Sequence, residues 1–320
     1  MENIVLNTAA TDFEALKLEV HLDYIEGPRD PIIAELLQEM VQNAKDCMRG
    51  GGSRRRALFV IGPSGSGKSY SLRHHLARIP GFQKGLNIHG EEVAPLLSIE
   101  APKPCTTKDL AIAILKALDI PARKRQTEGE LFETVKTQLR ERGILFLHID
   151  EAQHLLRHKS KDAVLDVQDC LKTLMQMKEW PLHAIYSGVP RLALLRSDDE
   201  LKNRSRVQRI YPIAQNDKPT LRGIVSGVAE KCEVGVLEEV LADDFLGRLC
   251  HAYSGSFGTI VEAVQAGCFL VKQRSASLDI RAFAYNYQRD SGCLPSDNIF
   301  RAARWSEIDP SNSLSDLEGI

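Results

Sequence analysis

The chain has 320 residues, 43% of them apolar, and a formal net charge of −2, enough for one large or two modest domains with a sizeable core. The near-neutral balance carries no global nucleic-acid signal, so any such contact must come from local basic patches. Seven scattered cysteines without a C-x-x-C pair argue against a disulfide framework or a zinc ribbon, and no apolar run approaches the roughly 18 residues that cross a membrane; with no basic start to the N-terminus, the expected location is cytoplasmic, away from membranes.

Residues 1–26 read as an N-terminal extension with a short helix from Phe13 to Leu22. Gly27-Pro28-Arg29-Asp30-Pro31 is a turn that opens a helix to Met48, with Ile32, Leu36, Leu37, Met40 and Val41 on one face. A basic link, Gly50 to Arg56, leads into the apolar strand Ala57–Ile61. Gly62-Pro63-Ser64-Gly65-Ser66-Gly67-Lys68-Ser69 then satisfies G-x-x-x-x-G-K-[ST] in full, and a helix follows from Tyr70 to Ile79. Strand, glycine loop and helix start form the context in which this motif binds phosphate. The glycines let successive backbone N–H groups face phosphate oxygens at a helix N-terminus. Residues Gly62 to Ser69 and the adjoining Tyr70 are therefore nucleotide-binding candidates. Lys68 is placed to reach the β- and γ-phosphates, and Ser69 to hold Mg²⁺.

Further on, strands over Val93–Ile99, Ile144–Ile149, Leu182–Tyr186 and Ile210–Ile213 alternate with helices over Lys108–Leu118, Glu128–Arg142 and Val164–Met177, with Thr107 as a helix cap. Such alternation predicts a parallel sheet covered by helices. After Asp217 the strand pattern stops, and Lys218–Cys232, Ala242–Tyr253 and Thr259–Gln273 read as helices of a second, smaller domain. Ser306 to Ile320 carries four acids and no base, the composition of a flexible tail.

The strand Ile144–Ile149 ends in Asp150 and Glu151, about eighty residues after the phosphate loop. In a hydrolysing enzyme of this kind Asp150 steadies the Mg²⁺ shell and Glu151 polarises the attacking water. His148, mid-strand, reads as a packed core histidine. Gln153 and His154 stand where they could sense nucleotide or a neighbour, with a plain surface role equally open. The strand Leu182–Tyr186 runs into Ser187, a candidate to hydrogen-bond the γ-phosphate or the water. Before the last expected strand, Arg204 is the candidate for an arginine presented to a neighbouring subunit's γ-phosphate, with Arg206 and Arg209 as runners-up.

Taken together, the phosphate loop, Asp150-Glu151, Ser187 and Arg204 resemble the AAA+ ATPases, over about residues 20–270. Tyr24-Ile25 with Gly27-Pro28-Arg29-Asp30 is similar to the adenine-contacting segment of initiator-type members. Within AAA+ the chain looks most like the transposition ATPases of the TniB, TnsC and MuB group. This rests on Ile149 to Leu156, Leu174 through Trp180-Pro181-Leu182, Ser187 to Pro190, Leu192 to Leu195, and the block Asp199 to Arg204. The resemblance implies an α/β fold: a P-loop αβα sandwich with a parallel sheet over residues 27–216, an all-α lid over 217–275 and a C-terminal segment over 276–320. It implies ATP and Mg²⁺ as cofactors. It implies a homo-oligomer, ring or helical filament, that forms on double-stranded DNA, recruits a transposase and a target-selection protein, and comes apart on hydrolysis. DNA-binding candidates are Lys103, Lys108, Arg123, Lys124 and Arg125. Gly258 stands where many relatives place a second sensor arginine, which implies weak coupling of the lid to the nucleotide. Competing readings are a helicase loader or secretion ATPase of the ExeA type, a P-loop small-molecule kinase, and a signalling NTPase of the STAND type. The last three normally carry features not found here: a membrane segment, a lid with clustered arginines, and long repeats.

Overall fold

The structure, a computed structural model, describes residues 12–86, 90–122, 125–156, 161–177 and 180–312, with the backbone alone at 161 and 162. In chain order, α1 (Asp12–Leu22) and α2 (Asp30–Met48) precede strand β1 (Ala57–Ile61) and helix α3 (Lys68–Leu76). A small hairpin of β2 (Gly85–Leu86) and β3 (Glu92–Val93) leads to β4 (Leu96–Glu100), α4 (Thr107–Ala117) and α5 (Glu128–Glu141). Then come β5 (Phe146–Asp150), α6 (Lys161–Met175), β6 (His183–Gly188), α7 (Asp199–Asn203) and β7 (Ser205–Arg209). Helices α8 (Lys218–Lys231), α9 (Asp243–Ala252), α10 (Phe257–Lys272) and α11 (Ile280–Ser291) follow. The chain divides into two compact units: residues 27–64 with 68–211, and residues 12–26, 65–67 and 212–312.

The larger unit is the expected αβα sandwich. Its sheet has the order β4-β5-β6-β1-β7, parallel throughout. Strand β1 is buried along its whole length, which is why its sequence is apolar without alternation. Leu58 and Val60 pack with Ile33 and Leu37 of α2 and Leu72 and Leu76 of α3. Phe59 and Ile61 lie in the opposite core, with Leu110 and Ile114 of α4, Val135 of α5 and Leu171 of α6. The chain climbs β4, β5, β6 toward β1 and then jumps past it to β7, so the carboxyl ends of β1, β5 and β6 open on one crevice. Ligands of open parallel sheets bind in such a crevice.

Local chemistry sets the element ends. Thr106, one residue before the expected cap, starts α4 through a reciprocal capping box with Asp109, and Thr127 with Glu130 does the same for α5. Thr107 is free for another contact and donates to Glu128 Oε2 at 2.6 Å. The last strand is a correction: it covers Ser205–Arg209, not Ile210–Ile213. Among the described residues it is an edge strand, paired with β1 alone. Ser205 is buried and Val207 packs on the core, while Arg206 and Arg209 point outward. Pro212, with no N–H to donate, does not extend the ladder.

The helical unit is built on α8–α11 together with α1. Val20 shares a core with Leu221, Val225, Leu249, Ile260, Val264, Phe283 and Phe300. Its boundaries therefore differ from the sequence expectation: α1 is part of this core, and so is the stretch from 276 to Phe300, which contains a helix the sequence reading left out. Asp279 caps that helix by accepting from Ala282 N at 2.9 Å, and Gly292 ends it at φ +69°. Residues 313–320 of the acidic tail lie outside the described residues. No single helix among the described residues is long and apolar enough to cross a membrane. Phe283 is fully buried and meets Phe245 at 4.8 Å and Phe300 at 5.7 Å between ring centroids. Phe283→Ala should cost about 3–5 kcal/mol in urea denaturation of the helical unit; an unchanged midpoint would contradict the packing described.

Candidate nucleotide site

The site starts at the end of β1. Gly62 N donates to the Gly188 carbonyl at 3.1 Å, which fixes where the loop leaves the sheet. Gly65 and Gly67 adopt φ of +71° and +80°, the left-handed region that glycine enters without steric cost. Helix α3 then begins at Lys68, so the loop residues stand at a helix N-terminus. Lys68 is 5% exposed and its Nζ donates to the Pro63 carbonyl at 2.9 Å. Burial pushes its pKa down, opposed by the nearby charges of Glu151 and Asp150. Among the described residues the buried Ser66 hydroxyl has no hydrogen-bond partner. An orphaned donor inside a loop of this shape fits a phosphate oxygen. Tyr70 is exposed on the first turn of α3.

Asp150 and Glu151 end β5. Asp150 Oδ1 accepts from Ser187 Oγ at 2.6 Å and from Glu151 N at 2.9 Å. Burial alone would raise the Asp150 carboxyl; the hydroxyls of Ser187 and Ser69, with His148 and the Glu151 N–H, outweigh it and hold the group below its ordinary range. Ser69 and Asp150 thus share one spot, a hard-oxygen donor set that suits Mg²⁺ with waters. A cavity of about 690 Å³ opens beside them, lined also by Arg73, Ser98 and His148. Glu151 sits at φ +53°, unusual for a residue with a side chain. Its Oε2 accepts from Gln153 Nε2 at 2.6 Å and lies 3.5 Å from His154 Nε2.

His148 is buried, as the sequence suggested, but its partners tie it to the site. Because Ser187 gives its proton to Asp150, it accepts from His148 Nε2–H at 3.0 Å, and His148 Nδ1 accepts from Ser98 Oγ at 2.8 Å. A second buried imidazole, His183, donates from Nδ1 to the Pro181 carbonyl at 2.7 Å and accepts from Asn43 at 2.9 Å. Burial pushes both histidines down, from 6.5 to about 4. The unfolded chain therefore binds protons near pH 6.5 that the folded unit takes up only near 4, so stability falls as pH drops through that window. Each histidine should cost about 2 kcal/mol between pH 7 and pH 5. Denaturation at the two pH values checks this; a flat response, or no flattening in His183→Gln, would contradict it.

Residues 49–195 match the family model described as AAA domain. That stretch, just under half of the chain, is similar to AAA-type ATPase domains. Similar solved structures include Cdc6p from Pyrobaculum aerophilum, 16% identical with a TM-score of 0.55, covering 85% of this chain and 70% of that one. The ORC2 protein of Aeropyrum pernix, as ADPNP–ADP complexes, is 14% identical with a TM-score of 0.57, covering 84% and 70%. The ORC1 protein of Aeropyrum pernix in complex with DNA is 16% identical with a TM-score of 0.54, covering 86% and 68%. At these identities the likeness is one of fold. No curated protein matches the sequence.

The candidate arginines of the larger unit fall at different ends of the sheet. Arg204 caps α7 and binds Glu200 through its guanidinium at 2.7 Å, and its carbonyl accepts from Ala57 N at 3.1 Å. Ser205 is level with Ala57, so Arg204 lies a further residue back, about 20 Å along the strand from the start of the chain's own loop at Gly62. Arg206 pairs with Glu39 on the outer face of β7. Arg209 is level with Ile61, at the loop end, and stacks on Tyr211 at 5.1 Å. Among the basic candidates, Lys103 is exposed and 3.3 Å from Glu100, Lys108 is half-buried in the first turn of α4, and Arg125 is exposed. Arg123 and Lys124 lie outside the described residues.

The structure brings Lys68, Ser69, Asp150, Glu151 and Ser187 together and leaves Arg204 apart from them. Sequence reading missed the Ser98–His148–Ser187 chain and the tie from Gln153 to Glu151. The polar residue inside an apolar strand and the Gln two places after Glu151 were the available signals.

Proposed function

We propose that this chain is an ATP-driven switch that oligomerises on double-stranded DNA and regulates transposition. The observation that carries the reading is Arg204. It stands at the far end of β1 from its own phosphate loop, so it can serve a γ-phosphate only on a second copy. A site completed in trans makes assembly depend on ATP.

Within each copy we assign the roles as follows. The loop N–H groups and Lys68 hold the β- and γ-phosphates. Ser69 and Asp150 would hold Mg²⁺, which would supply charge to offset that of the phosphates. Glu151 polarises the attacking water, and Ser187 keeps Asp150 in place while facing the same crevice. Support for nucleotide and DNA as ligands comes from the solved neighbours, one with ADPNP and ADP and one with DNA. Lys103, Lys108 and Arg123 to Arg125 are the basic residues we assign to the duplex backbone. Contacts of this kind go to phosphates and carry no sequence information, and they should give a salt-dependent affinity. A transposase and a target-selection protein are the partners implied. The fold likeness to Cdc6p and ORC proteins favours a second reading, a replication-type loader with the same site chemistry.

The test is imaging and sedimentation of the purified chain with linear duplex DNA under ATP, a slowly hydrolysed analogue, ADP and no nucleotide. Rings or filaments on DNA only with triphosphate, which then stimulate a DDE-type transposase, are the expected result. Stimulation of helicase loading instead would favour the second reading, and a monomer indifferent to DNA in every state would sink both.

A further inference from the structure

The turn that follows β6 touches several parts of the site at once. Ser187 Oγ donates to Asp150 Oδ1 at 2.6 Å. The Gly188 carbonyl accepts from Gly62 N at 3.1 Å, where the phosphate loop leaves the sheet. Val189 N donates to Gln153 Oε1 at 3.2 Å. Gln153 passes this contact on, because its Nε2 donates to Glu151 Oε2 at 2.6 Å. Both ends of one amide are thus engaged, and the side chain is 9% exposed.

The fit is specific to a glycine at 188. A Cβ there would stand 2.1 Å from Gln153 Oε1, so any other residue would push the amide off the turn. We propose that Gln153 is the positioning residue for Glu151: it ties the carboxylate to the Ser187–Gly188–Val189 turn, so that one turn sets both acids and the start of the phosphate loop. This rests on the reading above, in which Glu151 polarises the attacking water.

The amide suits that task. A carboxylate at the end of a flexible side chain samples many orientations, and its water must be held in line with the scissile bond. Gln153 pins Oε2 through a donated amide N–H that is too weakly acidic to be transferred, which leaves Oε1 for the water. His154 Nε2, 3.5 Å from Oε2, approaches the same pinned oxygen. The mechanical consequence is a common hinge: a displacement of the β6 turn moves Asp150 through Ser187 and Glu151 through Gln153 together.

The experiment compares wild type, Gln153→Ala and Gly188→Ala in ATP turnover, in affinity for a fluorescent ATP analogue, and in hydrogen exchange at the Val189 amide. Both variants should lose about ten-fold in kcat with KM and affinity within about two-fold of wild type, because only orientation is lost. The double variant should be no worse than either single one, since each breaks the same clamp. Val189 should exchange faster in both. An unchanged or raised kcat in Gln153→Ala would overturn the proposal, as would a loss of affinity equal to the loss of turnover. Unchanged Val189 exchange would show that the clamp does not exist. A wild type that hydrolyses no ATP would instead overturn the reading of Glu151 itself, before any variant is compared.

Discussion

Glu151→Gln should lower kcat for ATP hydrolysis by about 100-fold or more while leaving nucleotide affinity within about two-fold. The change keeps size and shape and removes only the negative charge that draws a proton from water. The phosphate cradle keeps its anchors without that charge: Lys68 stays bonded to the Pro63 carbonyl and beside Asp150, and Asp150 stays bonded to Ser187. The amide oxygen that the change leaves at 151 can accept from Gln153 Nε2 as the carboxylate does, so the local backbone should hold. The ATP-bound state then has no exit, and assemblies on DNA should outlast those of wild type. Turnover with radiolabelled ATP and filter binding check both halves. A loss of affinity comparable to the loss of turnover would mean that Glu151 holds nucleotide and does not polarise water.

Arg204→Ala should abolish turnover about as severely, by about 10³-fold, with nucleotide still bound. Its distinguishing feature is complementation. Lys68→Ala cannot hold the phosphates but presents an intact Arg204. Arg204→Ala holds them but presents nothing to its neighbour. Mixed together, an Arg204→Ala site beside a Lys68→Ala subunit is complete, so activity should return where either variant alone is silent. Glu200, which binds the guanidinium at 2.7 Å, would have to release it on assembly. Glu200→Ala should therefore not be inactive. If the mixture stays silent while Arg206→Ala or Arg209→Ala complements in its place, the trans residue is one of those. Arg209 is the less suited, because its register beside Ile61 puts it at the loop end of its own sheet.

How legible was this in the sequence? The phosphate loop was, because its chemistry is local: Gly65 and Gly67 are needed for backbone shape, and Lys68 and Ser69 follow at fixed offsets. Asp150 and Glu151 were legible once the loop was found, because a fully buried parallel strand reads as an apolar run that stops where the chain meets solvent. Other features were less so. Strand β7 was displaced because an edge strand needs only Ser205 and Val207 inward, whereas Ile210 to Ile213 is more apolar and carries a proline. Helix α11 was missed because its buried face is thin, Ala282, Phe283 and Tyr287 among polar neighbours; Asp279 and Gly292 were the cap signals for it. The partners of His148 and Gln153 were not legible at all. Ser187 lies 39 residues from His148, and Val189 lies 36 from Gln153. Only the sheet order, with β6 beside β5, brings those pairs together.

The central claim is that hydrolysis is completed by a second copy, and that duplex DNA gathers the copies. The most direct measurement is the ATP turnover rate per subunit across a wide range of protein concentrations, with and without duplex DNA. The account predicts a rate per subunit that rises steeply with concentration, and DNA that moves the rise to lower concentration. A rate per subunit that is constant throughout, with DNA making no difference, would contradict it.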